Sequence, residues 1–105
     1  AEACAEVSAV SLCPWIILSA GATFDEFKRQ TAVACQNGAS GVLVGRAVWA
    51  EAAELAGAAR QEFLATVAVE RMKRLTAIIE EHGRPWTDYH PGLAGSVSEE
   101  WYKSY

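Results

Sequence analysis

The sequence predicts an α/β protein in which parallel strands are joined by a helix. Three observations predict it. Two short, unbroken apolar runs, Pro14-Trp15-Ile16-Ile17-Leu18 and Gly41-Val42-Leu43-Val44, have the β-branched and aromatic content of strands covered on both faces. Each is followed at once by a small-residue loop, Ser19-Ala20-Gly21-Ala22 and Gly45-Arg46, and then by a helical pattern. The strand, helix and strand together fill roughly 30 residues, the size of a βαβ unit with parallel strands and a right-handed crossover.

Taken in order, residues 1–8 have the composition of the end of a helix. After the first strand, Thr23-Phe24-Asp25-Glu26 has capping-box spacing, in which the threonine oxygen accepts from a first-turn N–H and Glu26 reaches back. The helix that follows places Phe24, Phe27, Thr31 and Ala34 on one face, with Lys28, Arg29 and Gln36 outside. Asn37-Gly38 ends it, because glycine takes the left-handed cap conformation at little cost. Beyond the second strand, Gly45-Arg46 opens a helix from Ala47 to about Leu55. A longer helix runs from about Arg60 to His82, with Leu64, Val67 or Ala68, Met72, Leu75, Ile78 and Ile79 at helical spacing. Gly83 and Pro85 stop it, and His82 is placed to complement its terminal carbonyls. Residues 1–83 therefore hold the strand-helix units. Residues 84–105 form a tail whose Trp86, Trp101, Tyr102 and Tyr105 are unusually aromatic for a disordered segment, and which is expected to dock on the fold or on a neighbouring subunit.

The 105 residues suffice for one domain burying roughly 60–70% of its unfolded surface. With 51% hydrophobic and 21% charged residues, the composition is that of a soluble globular chain. A net charge of −4 argues against nucleic-acid binding. No transmembrane segment is expected: the stretch from Ala9 to Ala22 is interrupted by Ser11, Pro14 and Ser19 and is shorter than the roughly 20 residues a span requires. Glu2 and Glu6 stand where a signal peptide would be basic. Cys4, Cys13 and Cys35 are odd in number and lack metal-ligand spacing, which suits buried, reduced thiols in a cytoplasmic protein. No Cys, His and carboxylate cluster has metal spacing, so no metal and no cofactor is expected.

Both strands have the pattern of full burial, yet two strands with one crossover leave both sheet edges open, and open apolar edges favour self-association. Pattern and length conflict. Further strands outside this sequence resolve the conflict, and the uncapped, methionine-free beginning is that of a segment from a longer chain.

The two loops following the strands emerge on one side of a parallel sheet, where ligands of α/β folds bind. Glycine lets backbone N–H groups approach an anion, and Arg46 adds a fork of donors suited to a phosphate or sulfonate. The plainer alternative makes Gly21 and Gly45 turn residues and Arg46 a solvated cation. A cation near a helix start is disfavoured by roughly 0.3–1 kcal/mol unless an anion sits close by, which weighs toward an anion site. Trp49 suits a packing anchor better than a substrate-stacking ring, and His90 suits a surface loop.

Pro14-Trp15-Ile16-Ile17-Leu18-Ser19-Ala20-Gly21, followed by Gly38-Ala39-Ser40-Gly41-Val42-Leu43-Val44-Gly45-Arg46-Ala47-Val48-Trp49, resembles the tagatose-1,6-bisphosphate aldolase family, which includes sulfofructosephosphate aldolases. Arg84-Pro85-Trp86-Thr87 after a long helix is similar to that family's C-terminal region. The resemblance covers most of residues 4–90. It implies that this α/β chain is the C-terminal portion of a (β/α)8 TIM barrel, supplying strands seven and eight with their helices. It also implies class I chemistry: reversible cleavage of a ketose phosphate to dihydroxyacetone phosphate and an aldehyde through a lysine Schiff base, without a metal. Ser19, Gly21, Gly45 and Arg46 would hold the phosphate of the sugar-phosphate substrate, with Ala20 contributing backbone only. The implied partners are that substrate, the remainder of the barrel and further copies in a homo-oligomer. Lys28, Lys73 and Lys103 lie in helices or the tail, so the family's lysine and its acid/base partner belong to earlier strands, and this chain alone is expected to be inactive. The rival reading is a stand-alone, non-catalytic phosphate-binding or structural module.

Overall fold

The structure, a computed structural model, describes residues 1–92 together with Glu100 and Lys103. Helix α1 (Glu2–Val10) precedes strand β1 (Ile16–Leu18), helix α2 (Phe24–Gln36) and strand β2 (Gly41–Leu43). A short helix α3 (Arg46–Trp49) leads into a 3-10 turn at Ala50–Glu54. Helix α4 (Gly57–Phe63), a π turn (Leu64–Ala68) and helix α5 (Val69–His82) then form one continuous helical run, and a 3-10 turn follows at Trp86–Asp88. Trp101, Tyr102 and Tyr105, on which the docking of an aromatic tail was expected, lie outside the described residues.

The strands pair in parallel, with Ile16 opposite Gly41, Ile17 opposite Val42 and Leu18 opposite Leu43. This is the α/β arrangement expected. The capping box also forms: Glu26 N–H donates to Thr23 Oγ1 at 3.3 Å, and Glu26 Oε2 accepts from Thr23 N–H at 3.0 Å. Those bonds, the backbone one foremost, hold the Glu26 carboxyl below its ordinary range. At the other end of α2, Gly38 takes a φ of 102°, and Ser8 Oγ stands where its side chain would go. Ser8 Oγ also donates to Asn37 O and accepts from Trp15 Nε1 at 2.9 Å, which ties α1 to the turn before β2.

The core lies between one face of the sheet and the helices. Phe27, Ala47, Val48, Ala68 and Leu75 are buried together, with Ile17, Val42 and Val44 packed against them. A smaller cluster of Ala34, Cys35 and Ala39 gathers Trp15, Ile17 and Ile79.

Four expectations need correction. The strands are covered on one face only. Ile16, Leu18 and Leu43 remain 53%, 61% and 62% exposed, because side chains alternate along a strand and the described helices pack against the Ile17 side. The helix expected from Ala47 to Leu55 stops as α-helix at Trp49. Arg60 Nε donates to the carbonyls of Ala52 at 3.0 Å and Leu55 at 2.7 Å, an anchorage from outside the segment that favours the tighter turn. Of the three cysteines, all free, only Cys35 is buried, and burial raises its thiol pKa.

The long helix is present, but its expected apolar stripe is not continuous. Leu75 and Ala68 are buried, whereas Leu64, Val67 and Met72 are exposed. The π turn at Leu64–Ala68 adds to the residue count per turn, so positions before and after it no longer share one face. No helix among the described residues is long and apolar enough to cross a membrane.

Candidate functional site

The two loops after β1 and β2 meet. Ser19 N–H donates to Leu43 O at 3.3 Å, extending the strand pairing, and Ala22 N–H donates to Ser19 O at 2.8 Å to close a four-residue turn. Ala20 and Gly21, the central residues of that turn, have φ of 48° and 85°. Two left-handed residues in succession reverse the chain tightly. Gly21 takes this conformation freely, while Ala20 is held in it against its preference.

A cleft of about 430 Å³ opens at this end of the sheet, lined by Leu18, Ser19, Ala20, Leu43, Val44, Gly45, Arg46 and Trp49. Gly21 adjoins it through Arg46, since a Cβ on Gly21 would lie 3.4 Å from Arg46 Nη2. The structure thus brings together all five residues expected from the sequence: Ser19, Ala20, Gly21, Gly45 and Arg46.

Several of their donor groups are unengaged among the described residues. Ser19 is 8% exposed, and its hydroxyl has no hydrogen-bond partner among the described residues. The Arg46 guanidinium pairs with no carboxylate among them. Arg71 and Arg74 do pair, with Glu51 and Glu70. The N–H groups of Ala20, Gly21 and Gly45 donate to no backbone acceptor among the described residues. A hydroxyl, a guanidinium and free amides around one cleft make a set of donors, and its charge is positive.

Trp49, expected to be a packing anchor, packs on Gly45 but also forms a wall of the cleft. Its Cζ2 lies 3.6 Å from where a Gly45 Cβ would stand, and the residue is 46% exposed. On a helix as short as α3, three residues past Arg46, a side chain returns to the face from which the helix started.

Curated proteins are similar to this chain over most of its length. A protein named tagatose 1,6-diphosphate aldolase from Listeria monocytogenes is 38% identical over 87 residues, covering 77% of this chain and 26% of the relative. One of the same name from Lactococcus lactis subsp. lactis is 36% identical over 81 residues, 71% of this chain and 25% of the relative. Over that stretch the chain matches the tagatose 1,6-diphosphate aldolase family. A Streptococcus pyogenes protein named tagatose 1,6-diphosphate aldolase 2 is 31% identical over 94 residues, 84% of this chain and 29% of the relative. The chain spans about a quarter of the length of the curated aldolases it matches. No protein-family model matches it.

A second cluster stands behind the cleft. Arg71 on α5 reaches α3, donating from Nη1 to Val48 O at 2.9 Å, Ala47 O at 3.3 Å and Glu51 Oε2 at 2.9 Å, and from Nη2 to Glu51 Oε1 at 2.7 Å. Its guanidinium lies 5.3 Å from the Phe24 ring centre and 5.6 Å from that of Phe63. The hydrogen bonds from Arg71 are the main cause that lowers the Glu51 pKa to about 2. Sequence reasoning missed Arg71 because its partners are 20 to 24 residues away. Among the described residues no three His, Cys, Asp or Glu side chains gather into a group that could hold a metal.

Proposed function

We propose that the chain is the C-terminal, phosphate-binding part of a class I ketose-phosphate aldolase, forming the last two βα units of a (β/α)8 barrel. In this reading β1 and β2 are strands seven and eight. Ser19, Gly21, Gly45, Arg46 and the Ala20 backbone hold the phosphate of the dihydroxyacetone phosphate half of the substrate. The observation that carries the proposal is the Arg46 guanidinium, unpaired among the described residues and set against Gly21 over a cleft that also holds the Ser19 hydroxyl.

Further support comes from the names of the relatives and from the half-covered sheet. The uncovered Ile16, Leu18 and Leu43 are the side-chain type that fills a barrel interior in layers, and loops after strands seven and eight recurrently bind phosphate in barrels. Helix α3 has only four residues, so its dipole adds little and the charge rests on Arg46. A phosphate held here lets binding energy remote from the reacting carbonyl orient that carbonyl for cleavage. The Schiff-base lysine and its acid/base partner come, in this reading, from earlier strands of a cytoplasmic, homo-oligomeric enzyme that uses no metal or cofactor.

The test is made on the native polypeptide carrying this sequence. Arg46→Ala is expected to raise KM for a phosphorylated ketose about 30- to 150-fold, the equivalent of about 2–3 kcal/mol for a charge-assisted hydrogen bond. Unchanged kinetics would remove the phosphate site. Intact mass tests the barrel separately: a value near 11.3 kDa sinks it, and one suited to about 250 residues or more supports it.

A further inference from the structure

Helix α3 carries Arg46 yet has little to hold it in place by itself. It is four residues long, far below the length at which an isolated helix is stable, and Gly45 supplies no side-chain cap. The carbonyls of Ala47 and Val48, near its C-terminal end, are among those a helix end leaves without intrahelical donors. Arg71 supplies donors to both. The same guanidinium binds both Glu51 oxygens in the fork geometry that arginine alone provides, and its place between Phe24 and Phe63 limits its swing. It therefore joins α5, the start of α2 and both ends of the bend from α3 into the 3-10 turn.

We propose that Arg71 is a positioning residue for the cleft: by gripping α3 through Ala47, Val48 and Glu51, it fixes Gly45 and Arg46 opposite Ser19–Gly21. This inference rests on the phosphate reading above. Arg71 does not line that cleft and acts only through α3. Displacements of about 1 Å at a binding group weaken it severely, so the grip and the affinity are linked.

The experiment measures the calorimetric Kd of inorganic phosphate and the Tm for Arg71→Met, Arg71→Lys, Glu51→Gln, Arg46→Ala and the double variant Arg46→Ala/Arg71→Met, each in the native polypeptide. Arg71→Met keeps an apolar stem between the rings and loses all four hydrogen bonds. It is expected to raise Kd about tenfold. Arg71→Lys is expected to recover part of that loss, because one ammonium cannot serve the carbonyls and the carboxylate as a fork does. Glu51→Gln is expected to cost about two- to threefold, since the carbonyl contacts remain. The double variant should bind little worse than Arg46→Ala, because Arg71 acts by way of α3. A lowered Tm with Kd within twofold of the parent overturns the inference, and so do losses that multiply in the double variant. If Arg71→Met fails to fold, an unchanged Kd in both Arg71→Lys and Glu51→Gln overturns it equally. No change on Arg46→Ala removes the phosphate site and this inference together. A loss on Arg46→Ala with none on the Arg71 and Glu51 variants removes this inference alone.

Discussion

The guanidinium of Arg46 lies across Gly21: a Cβ on Gly21 would stand 3.4 Å from Nη2, 3.6 Å from Cζ and 3.7 Å from Nη1. The loop after β1 thereby meets the first residue of the helix after β2. The bare glycine leaves the planar face of the arginine against backbone, and its φ of 85° belongs to a turn whose two central amides, those of Ala20 and Gly21, donate to no backbone acceptor among the described residues.

Gly21→Ala therefore tests conformation and contact at once. The left-handed φ is expected to cost about 1–2 kcal/mol of stability. The methyl group would also stand in van der Waals contact with the guanidinium, at 3.4–3.7 Å, and narrow the room for an anion beside it. Thermal unfolding should show a lower Tm, and phosphate titration a weaker Kd. A lower Tm with an unchanged Kd would make Gly21 a turn residue only.

Gly45 separates the two effects more cleanly. Its φ of −142° is not left-handed, and an added Cβ would meet Trp49 at 3.6–3.8 Å, ordinary contact distances. Gly45→Ala should therefore change Tm little. If the Gly45 backbone approaches an anion, the same methyl group should weaken phosphate binding by about tenfold, the scale of one lost hydrogen bond of about 1.4 kcal/mol. Equal Kd values for variant and parent would remove Gly45 from the site.

What was legible in the sequence was local. Thr23 and Glu26 are three residues apart, so their capping box is visible as spacing. The two apolar runs and the small residues after them likewise placed the strands and the loops that line the cleft. Relations across the fold were not legible. Nothing near Ala52 or Leu55 shows that Arg60 takes their carbonyls and favours a 3-10 turn. Nothing near Ala47 shows that Arg71, on a later helix, takes its carbonyl. A run such as Ile16-Ile17-Leu18 is apolar on both faces and does not reveal that the described residues cover only the Ile17 side. The exposure of Trp49 in the cleft also depends on the length of α3, which Arg60 and Arg71 help to set.

The Glu51–Arg71 pair predicts a pH dependence. Glu51 falls from an ordinary 4.5 to about 2 in the folded chain, so the unfolded state binds more protons between those values. The stabilisation is fully present above about pH 4.5 and is lost as the pH falls toward 2. The Glu51 side chain is 52% exposed, so the gain is small and weakens with salt. Tm of the parent should exceed that of Glu51→Gln above pH 5, with the gap closing between pH 4.5 and 2. A gap that persists at pH 2 would assign the stabilisation to something other than the ionised pair.

The residue 1–105 chain by itself is expected to form no Schiff base with dihydroxyacetone phosphate. A lysine becomes a Schiff-base nucleophile when its amine is desolvated and neutral beside the reacting ketone. Lys28 on α2 pairs with Asp25 at 3.3 Å, Lys103 pairs with Glu100 at 2.6 Å, and neither lines the cleft between the loops. Lys73 lies on α5 in a groove with Leu64, Ala68, Val69, Met72, Thr76, Ala77 and Glu80, none of which lines the cleft between the loops. Among the described residues no lysine lines the cleft that holds Arg46. Borohydride reduction in the presence of dihydroxyacetone phosphate, read by intact-mass and peptide mapping, should leave all three lysines unmodified. A discrete borohydride-dependent adduct on Lys28, Lys73 or Lys103 would place a catalytic amine within this chain and overturn the assignment of that amine to earlier strands.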